Sequence, residues 1–168
     1  MKPQKQGRTT FSAVPGRTEK GGLSLVCGAA EWQLRVQLAA AYRVADLLGW
    51  NELIYTHISA RVPGPQHHFL ITPYGLAFAE VTASNLVKID VDGNPVGRNE
   101  FAANKAGFII HSAIHMARRD AGCVWHMHTL AGMAVSAQEQ GLLPAHMYSH
   151  NFWRRLSYLD FEGPSMRL

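Results

Sequence analysis

Leu34, Leu38, Ala41, Ala45 and Leu48 recur at steps of four, three, four and three, which predicts one apolar stripe on a helix ending at Gly49. From Leu53 to Arg61 the period changes to two, with Ile54, Thr56, Ile58 and Ala60 sharing one face of a half-buried strand. The breaker Pro63-Gly64-Pro65 separates this run from a second short one, His68 to Thr72, and the two read as a hairpin. Pro73-Tyr74-Gly75 is a turn, and Leu86 to Val91 is a third strand closed by Asp92-Gly93-Asn94-Pro95. Phe108 to Arg119 is apolar at helical spacing, with Arg118 and Arg119 placed to complement the negative end of the helix. Cys123 to His128, β-branched and aromatic, predicts the next strand. Thr129 then caps an Ala-rich helix that ends at Gly141, and Leu156 to Phe161 reads as one more strand. Hairpin-linked strands with flanking helices predict one α/β domain around a mostly antiparallel sheet.

A chain of 168 residues, 47% hydrophobic and 17% charged, is long and apolar enough to bury a core without disulfide or metal support. The net charge of +4 changes little in this picture, because Lys2, Lys5, Arg8, Arg17 and Lys20 against Glu19 account for all of it. Residues 1–30 are therefore expected to be a basic, disordered leader, and residues 31–168 the domain. No Lys/Arg cluster with interleaved aromatics marks the body, which argues against a nucleic-acid partner. The apolar run Leu23 to Ala30 is too short and too broken for a secretory signal, and no stretch has the length of a membrane span. Cys27 and Cys123 stand in no metal or redox spacing, which fits a reducing compartment and a cytoplasmic location.

The chemistry concentrates in histidines. On a strand, residues i and i+2 face one side about 6.5–7 Å apart, so His126 and His128 can aim both rings at one divalent ion, with Zn²⁺ a suitable occupant at about 2.0–2.1 Å. The same spacing also describes two histidines on a half-exposed strand, with Trp125 and Met127 turned to the core on the other face. His111 and His115 have helical ligand spacing but lack the Glu of an H-E-x-x-H motif, so they are read as packing or hydrogen-bonding near the site. His67 and His68, beside a turn, are read as solvated. Phosphate-loop, dinucleotide and G-x-S-x-G patterns are absent, so ATP, NAD and a serine-hydrolase triad have no support.

Several segments in order carry a stronger signal: L-A-A-A-Y-R-V-A-D-L-L-G-W-N-E-L-I-Y-T-H-I-S-A-R, H-F-L-I-T-P-Y-G-L, V-T-A-S-N-L-V-K-I-D and A-G-F-I-I-H-S-A-I-H-M-A-R-R-D-A-G-C-V-W-H-M-H-T. Together with Gly-Leu-Leu-Pro at residues 141–144 and Tyr158 to Gly163, they resemble the class II aldolase/adducin family, most closely the adducin head and its bacterial relatives. The resemblance implies a layered α/β/α domain, incomplete at its C-terminus, whose uncovered apolar surface favours self-association. In the aldolase branch, three histidines hold zinc that polarises a small sugar phosphate, and a glutamate moves the proton. The H-x-H of that branch falls on His126 and His128, its glutamate on Gly107, and its third histidine, in R-N-H-G, beyond Leu168. Its phosphate-holding Ser-Ser pair falls on Lys105 and Ala106, and its G-N-x-S asparagine on His57.

By resemblance, then, an enzymatic version of this chain is a zinc-dependent aldehyde-lyase acting on a small, non-phosphorylated hydroxycarbonyl compound. Its substrate would be bound by His57, Tyr74 and Gly75 beside an incomplete site for Zn²⁺ or another divalent metal. The adducin branch also carries A-G-F, and implies instead a non-catalytic, self-associating module with actin-cytoskeleton partners.

Overall fold

A computed structural model describes residues 27–97 and 99–160; the expected leader lies almost wholly outside them. The elements are helix α1 (Ala29–Leu47), strands β1 (His57–Arg61), β2 (Phe69–Ile71) and β3 (Val87–Ile89), helix α2 (Lys105–Ala117), strand β4 (Cys123–His126), and helices α3 (Leu130–Ser136) and α4 (Met147–His150). The expected leader boundary at residue 30 falls in the first turn of α1. The strands form one sheet in the order β3-β2-β1-β4, and every pairing is antiparallel. The predicted β1–β2 hairpin is present, with Ser59 opposite Ile71 and Arg61 opposite Phe69.

Strand alternation sorts the side chains into two layers. Ile58, Ala60 and Leu70 pack with Leu38, Tyr42 and Ala45 of α1 on one face, while Phe69, Ile71, Val87 and Ile89 pack with Phe108 of α2 on the other. This is the layered α/β/α arrangement expected, with the sheet as its middle layer. Tyr42 ties the apolar layer together: its fully buried hydroxyl accepts from the Ile58 N–H at 2.8 Å and the Thr72 N–H at 3.1 Å, and donates to the Ile58 carbonyl.

The stripe of α1 is rotated from the predicted one. Arg35 and Glu31 are buried, whereas Leu48 is half exposed. The polar pair is tolerated because Arg35 Nε donates to Glu31 at 2.9 Å, Lys88 Nζ meets the other carboxylate oxygen at 2.9 Å, and Arg35 also donates to the Leu86 carbonyl at 2.8 Å. Burial alone would push the Glu31 carboxyl up, but the Lys88 and Arg35 hydrogen bonds more than offset it and leave it below its ordinary value.

Four further expectations need correction. β1 starts at His57 and not at Leu53, since residues 53–55 form a turn closed by Tyr55 N–H on the Glu52 carbonyl. β4 stops at His126, so the pleat no longer turns Met127 inward and its side chain is 39% exposed. α3 ends at Ser136 and not at Gly141; with no buried residue, it has no apolar face to extend. Residues 156–160 form neither strand nor helix and are exposed, and Phe161 lies outside the described residues.

Candidate metal and ligand site

β1 carries Ile58 and Ala60 on its α1 side, so His57, Ser59 and Arg61 must project on the α2 side. The register sets His57 opposite His126, and cross-strand partners share a face, so the rings of these two histidines lie 5.0 Å apart between centroids. His128, two residues on and just past the strand, brings its Nε2 to 3.0 Å from His126 Nε2. Two imidazoles on one tetrahedral ion at about 2.05 Å would hold these atoms about 3.3 Å apart, so the pair is close to ligating geometry.

Glu52 completes the pair. Its carboxylate accepts from His128 Nδ1 at 2.5 Å, which holds the proton on that nitrogen and leaves Nε2 as the donor atom. Partial desolvation of its ring, then the neighbouring His128, holds the His126 imidazole below its ordinary value, which favours the neutral form a metal requires. The chemistry of the donor set therefore fits a borderline-soft divalent ion. Among the described residues no third His, Cys, Asp or Glu joins the pair in a cluster.

Behind this pair runs a buried polar row that the sequence alone does not assemble. His57 Nδ1 lies 3.0 Å from His111 Nε2, His111 Nδ1 lies 2.7 Å from Ser59 Oγ, Ser59 Oγ lies 2.9 Å from His115 Nε2, and His115 Nδ1 lies 3.0 Å from the Ala121 carbonyl. His111 and His115 thus hydrogen-bond beside the site, as expected from the lack of an H-E-x-x-H glutamate, and do not reach the His126–His128 pair. Burial lowers His57 to about 4 with help from the nearby His126, and lowers His111 to about 3 with help from His57; it also depresses His115. All three are neutral at physiological pH.

Gly107 sits where this row meets α2. The Asn104 side chain caps the helix by accepting from the Gly107 N–H at 3.2 Å. A Cβ at position 107 would lie 2.3 Å from His57 Nε2, so the His57 ring fills the space in which any side chain at 107 would begin. Histidine at 57 and glycine at 107 are thus one packing solution.

His57 also lines a small depression of about 10 Å³ with Thr56, Thr72, Tyr74, Gly75 and Asn104, which brings the three expected substrate-binding residues together. Gly75 turns there with φ of +90°, a conformation that side chains rarely adopt. His67 and His68, read from the sequence as solvated, are instead half-buried; His67 Nδ1 lies 3.4 Å from Arg61, whose guanidinium also donates to the His115 carbonyl. Sequence reasoning missed Glu52 and the role of Ser59. The phase of β1 could have found Ser59, because it places residues 57 and 59 on one face, but nothing local connects Glu52 to His128.

Comparison with known proteins agrees with this fold. The model of the family described as Class II Aldolase and Adducin N-terminal domain matches residues 36–167. An aldolase II superfamily protein from Pseudomonas syringae superposes with a TM-score of 0.85 at 52% identity, over 88% of this chain and 59% of that one. The L-fuculose 1-phosphate aldolase of Glaciozyma antarctica gives 0.70 at 32% identity, over 80% and 58%. Alpha-adducin of Rattus norvegicus is 53% identical over 152 residues, 89% of this chain and 20% of that protein. The chain likewise spans only 59% and 53% of the length of bacterial relatives from Caulobacter vibrioides and Pseudomonas aeruginosa. With the family model covering most of the chain and the fold shared with solved members, the chain belongs to the class II aldolase and adducin N-terminal domain family.

Proposed function

We propose that this chain supplies two ligands, His126 and His128, of an aldolase-type site for zinc or another divalent metal, and that the site serves lyase chemistry on a small, non-phosphorylated hydroxycarbonyl compound. The observation that carries this reading is the His126–His128 pair, with its Nε2 atoms 3.0 Å apart and one ring oriented by Glu52. A divalent ion bound there would act as a Lewis acid toward a carbonyl oxygen. Glu52 holds the His128 tautomer, His57 and Tyr74 border the depression a substrate would enter, and Gly107 offers no side chain to move a proton. The free thiols of Cys27 and Cys123 support a cytoplasmic setting.

Two protein ligands bind zinc less tightly than three. Equilibrium dialysis against zinc, followed by elemental analysis, should find loose but saturable binding in the native chain and a loss of about tenfold or more in affinity in His126→Ala. Unchanged binding in His126→Ala would refute the metal assignment.

A second reading, a non-catalytic, self-associating adducin-head-like module with cytoskeletal partners, is favoured by Gly107 and by exposed apolar side chains. These include Ile110, Tyr148, Phe152 and Trp153. Sedimentation of the native chain tests it: a concentration-independent monomer removes this reading.

A further inference from the structure

The buried row has a direction, fixed at one end. The Ala121 carbonyl can only accept, so His115 Nδ1 carries the proton and neutral His115 presents a lone pair at Nε2. Ser59 must then give its single hydroxyl proton to His115 and accept from His111 Nδ1–H. Neutral His111 is left with a lone pair at Nε2, which accepts from His57 Nδ1–H. Each link determines the next, and the row ends with a bare lone pair at His57 Nε2. None of the three rings pairs with a carboxylate among the described residues, so nothing there recruits an extra proton.

That terminal nitrogen lies against Gly107 at the start of α2. It has no hydrogen-bond partner among the described residues, yet is not among the enclosed unpartnered atoms, which are Arg61 Nε and Trp125 Nε1. His57 itself lines the depression bordered by Tyr74 and Asn104, and its ring is held by the cross-strand His126 on one side and His111 on the other.

We propose that the row from Ala121 through His115, Ser59 and His111 locks His57 as an obligate hydrogen-bond acceptor at Nε2, making it a specificity residue that selects a ligand hydroxyl and rejects a phosphate. A hydroxyl donates to the lone pair, whereas a phosphate dianion brings only acceptor oxygens and meets repulsion. This inference rests on the proposed function for the class of ligand, and it accounts for a neutral hydroxycarbonyl compound from this chain's own hydrogen bonds.

The direct test is the protonation pattern of the histidines, read from long-range proton–nitrogen correlation spectra of the isotope-labelled native chain without metal. His57 should carry its proton on Nδ1 and none on Nε2, and Ser59→Ala should shift His57 toward the Nε2-protonated form. A protonated His57 Nε2 in the native chain overturns the lock. The second measurement titrates dihydroxyacetone and its monophosphate into the native chain, in metal-free and zinc-supplemented buffer, following the ring signals of the neighbouring His111, which His57→Asn retains. The neutral ketone should bind at least about tenfold more tightly than its phosphate ester. A folded His57→Asn variant, whose amide can donate, should lose most of that preference. Equal binding of the two probes, binding of neither in both buffers, or a preference unchanged in His57→Asn overturns the selection. Loss of zinc binding is read separately in His126→Ala, so failure of the metal assignment leaves the tautomer result distinguishable.

Discussion

The two faces of β1 use the same backbone for opposite purposes. Toward α1, Ile58 and Ala60 enter a layer closed by Leu38, Tyr42, Leu70 and Phe78, in which hydrophobic burial is the dominant stabilising term. Toward α2, His57 and Ser59 enter a row of imidazoles as deeply buried as the leucines, stabilised only while every link finds its partner. Position 57 faces the candidate ligand His126 and position 58 faces Trp125, so a shift of one residue in register would exchange the two environments. The lesson is that the site is a second, polar core, and its precision comes from the same packing that stabilises the first.

The comparison can be broken most severely on the apolar face. Leu70→Ala should cost about 2–5 kcal/mol, since a fully buried side chain leaves a cavity that strands on both sides keep from collapsing. Urea unfolding reads this directly, and a loss under about 1 kcal/mol would mean that the layer is looser than its burial implies.

Gly107→Glu strikes where the polar face is tightest. A Cβ 2.3 Å from His57 Nε2 forces the ring to move, at a cost of about 1–3 kcal/mol. Adding His57→Asn to Gly107→Glu should recover much of that loss, because the smaller side chain vacates the space; a double variant no more stable than Gly107→Glu would show that the two positions are not coupled. A carboxylate at 107 is therefore accommodated best when position 57 changes with it.

Ser59→Ala should cost about 1–3 kcal/mol, leaving His111 Nδ1 and His115 Nε2 without a partner. The cavity left by one hydroxyl is small, so a fall of this size identifies broken polar links as the cause.

Acid sharpens the contrast further. His57 and His111 have folded values of about 4 and about 3 against an ordinary 6.5, so the unfolded chain binds more protons as pH falls below that value. Their contribution is complete above about pH 6.5 and declines toward pH 4, with Glu31 adding to the loss once pH drops below its ordinary 4.5. Urea midpoints in metal-free buffer should fall steadily over this range, and a flat profile from pH 7 to 5 would contradict burial of neutral rings. The smallest effect belongs to His126→Ala, which lies near the exposed end of the pair and should change stability by no more than about 0.5 kcal/mol.

Local pattern by itself determined the antiparallel hairpin of β1 and β2, the N-cap at Thr129, whose Oγ1 accepts from the Gly132 N–H at 3.1 Å, and the shared face of His126 and His128. Each depends on residues within a few positions of one another, where backbone period and side-chain reach leave little choice. The motif series likewise placed the chain in its family before any coordinate was considered. What tertiary structure alone decided is non-local. Glu52 meets His128 across 76 positions, Ser59 joins His111 and His115 from a different element, and the His57 ring occupies the space over Gly107. The same holds for the rotation of α1, where Lys88 makes burial of Glu31 and Arg35 tolerable against the pull of the Leu34–Leu48 stripe. Sequence periodicity states which side of an element is apolar; which distant groups neutralise, orient or displace one another is set by register and packing, and here those decide the chemistry.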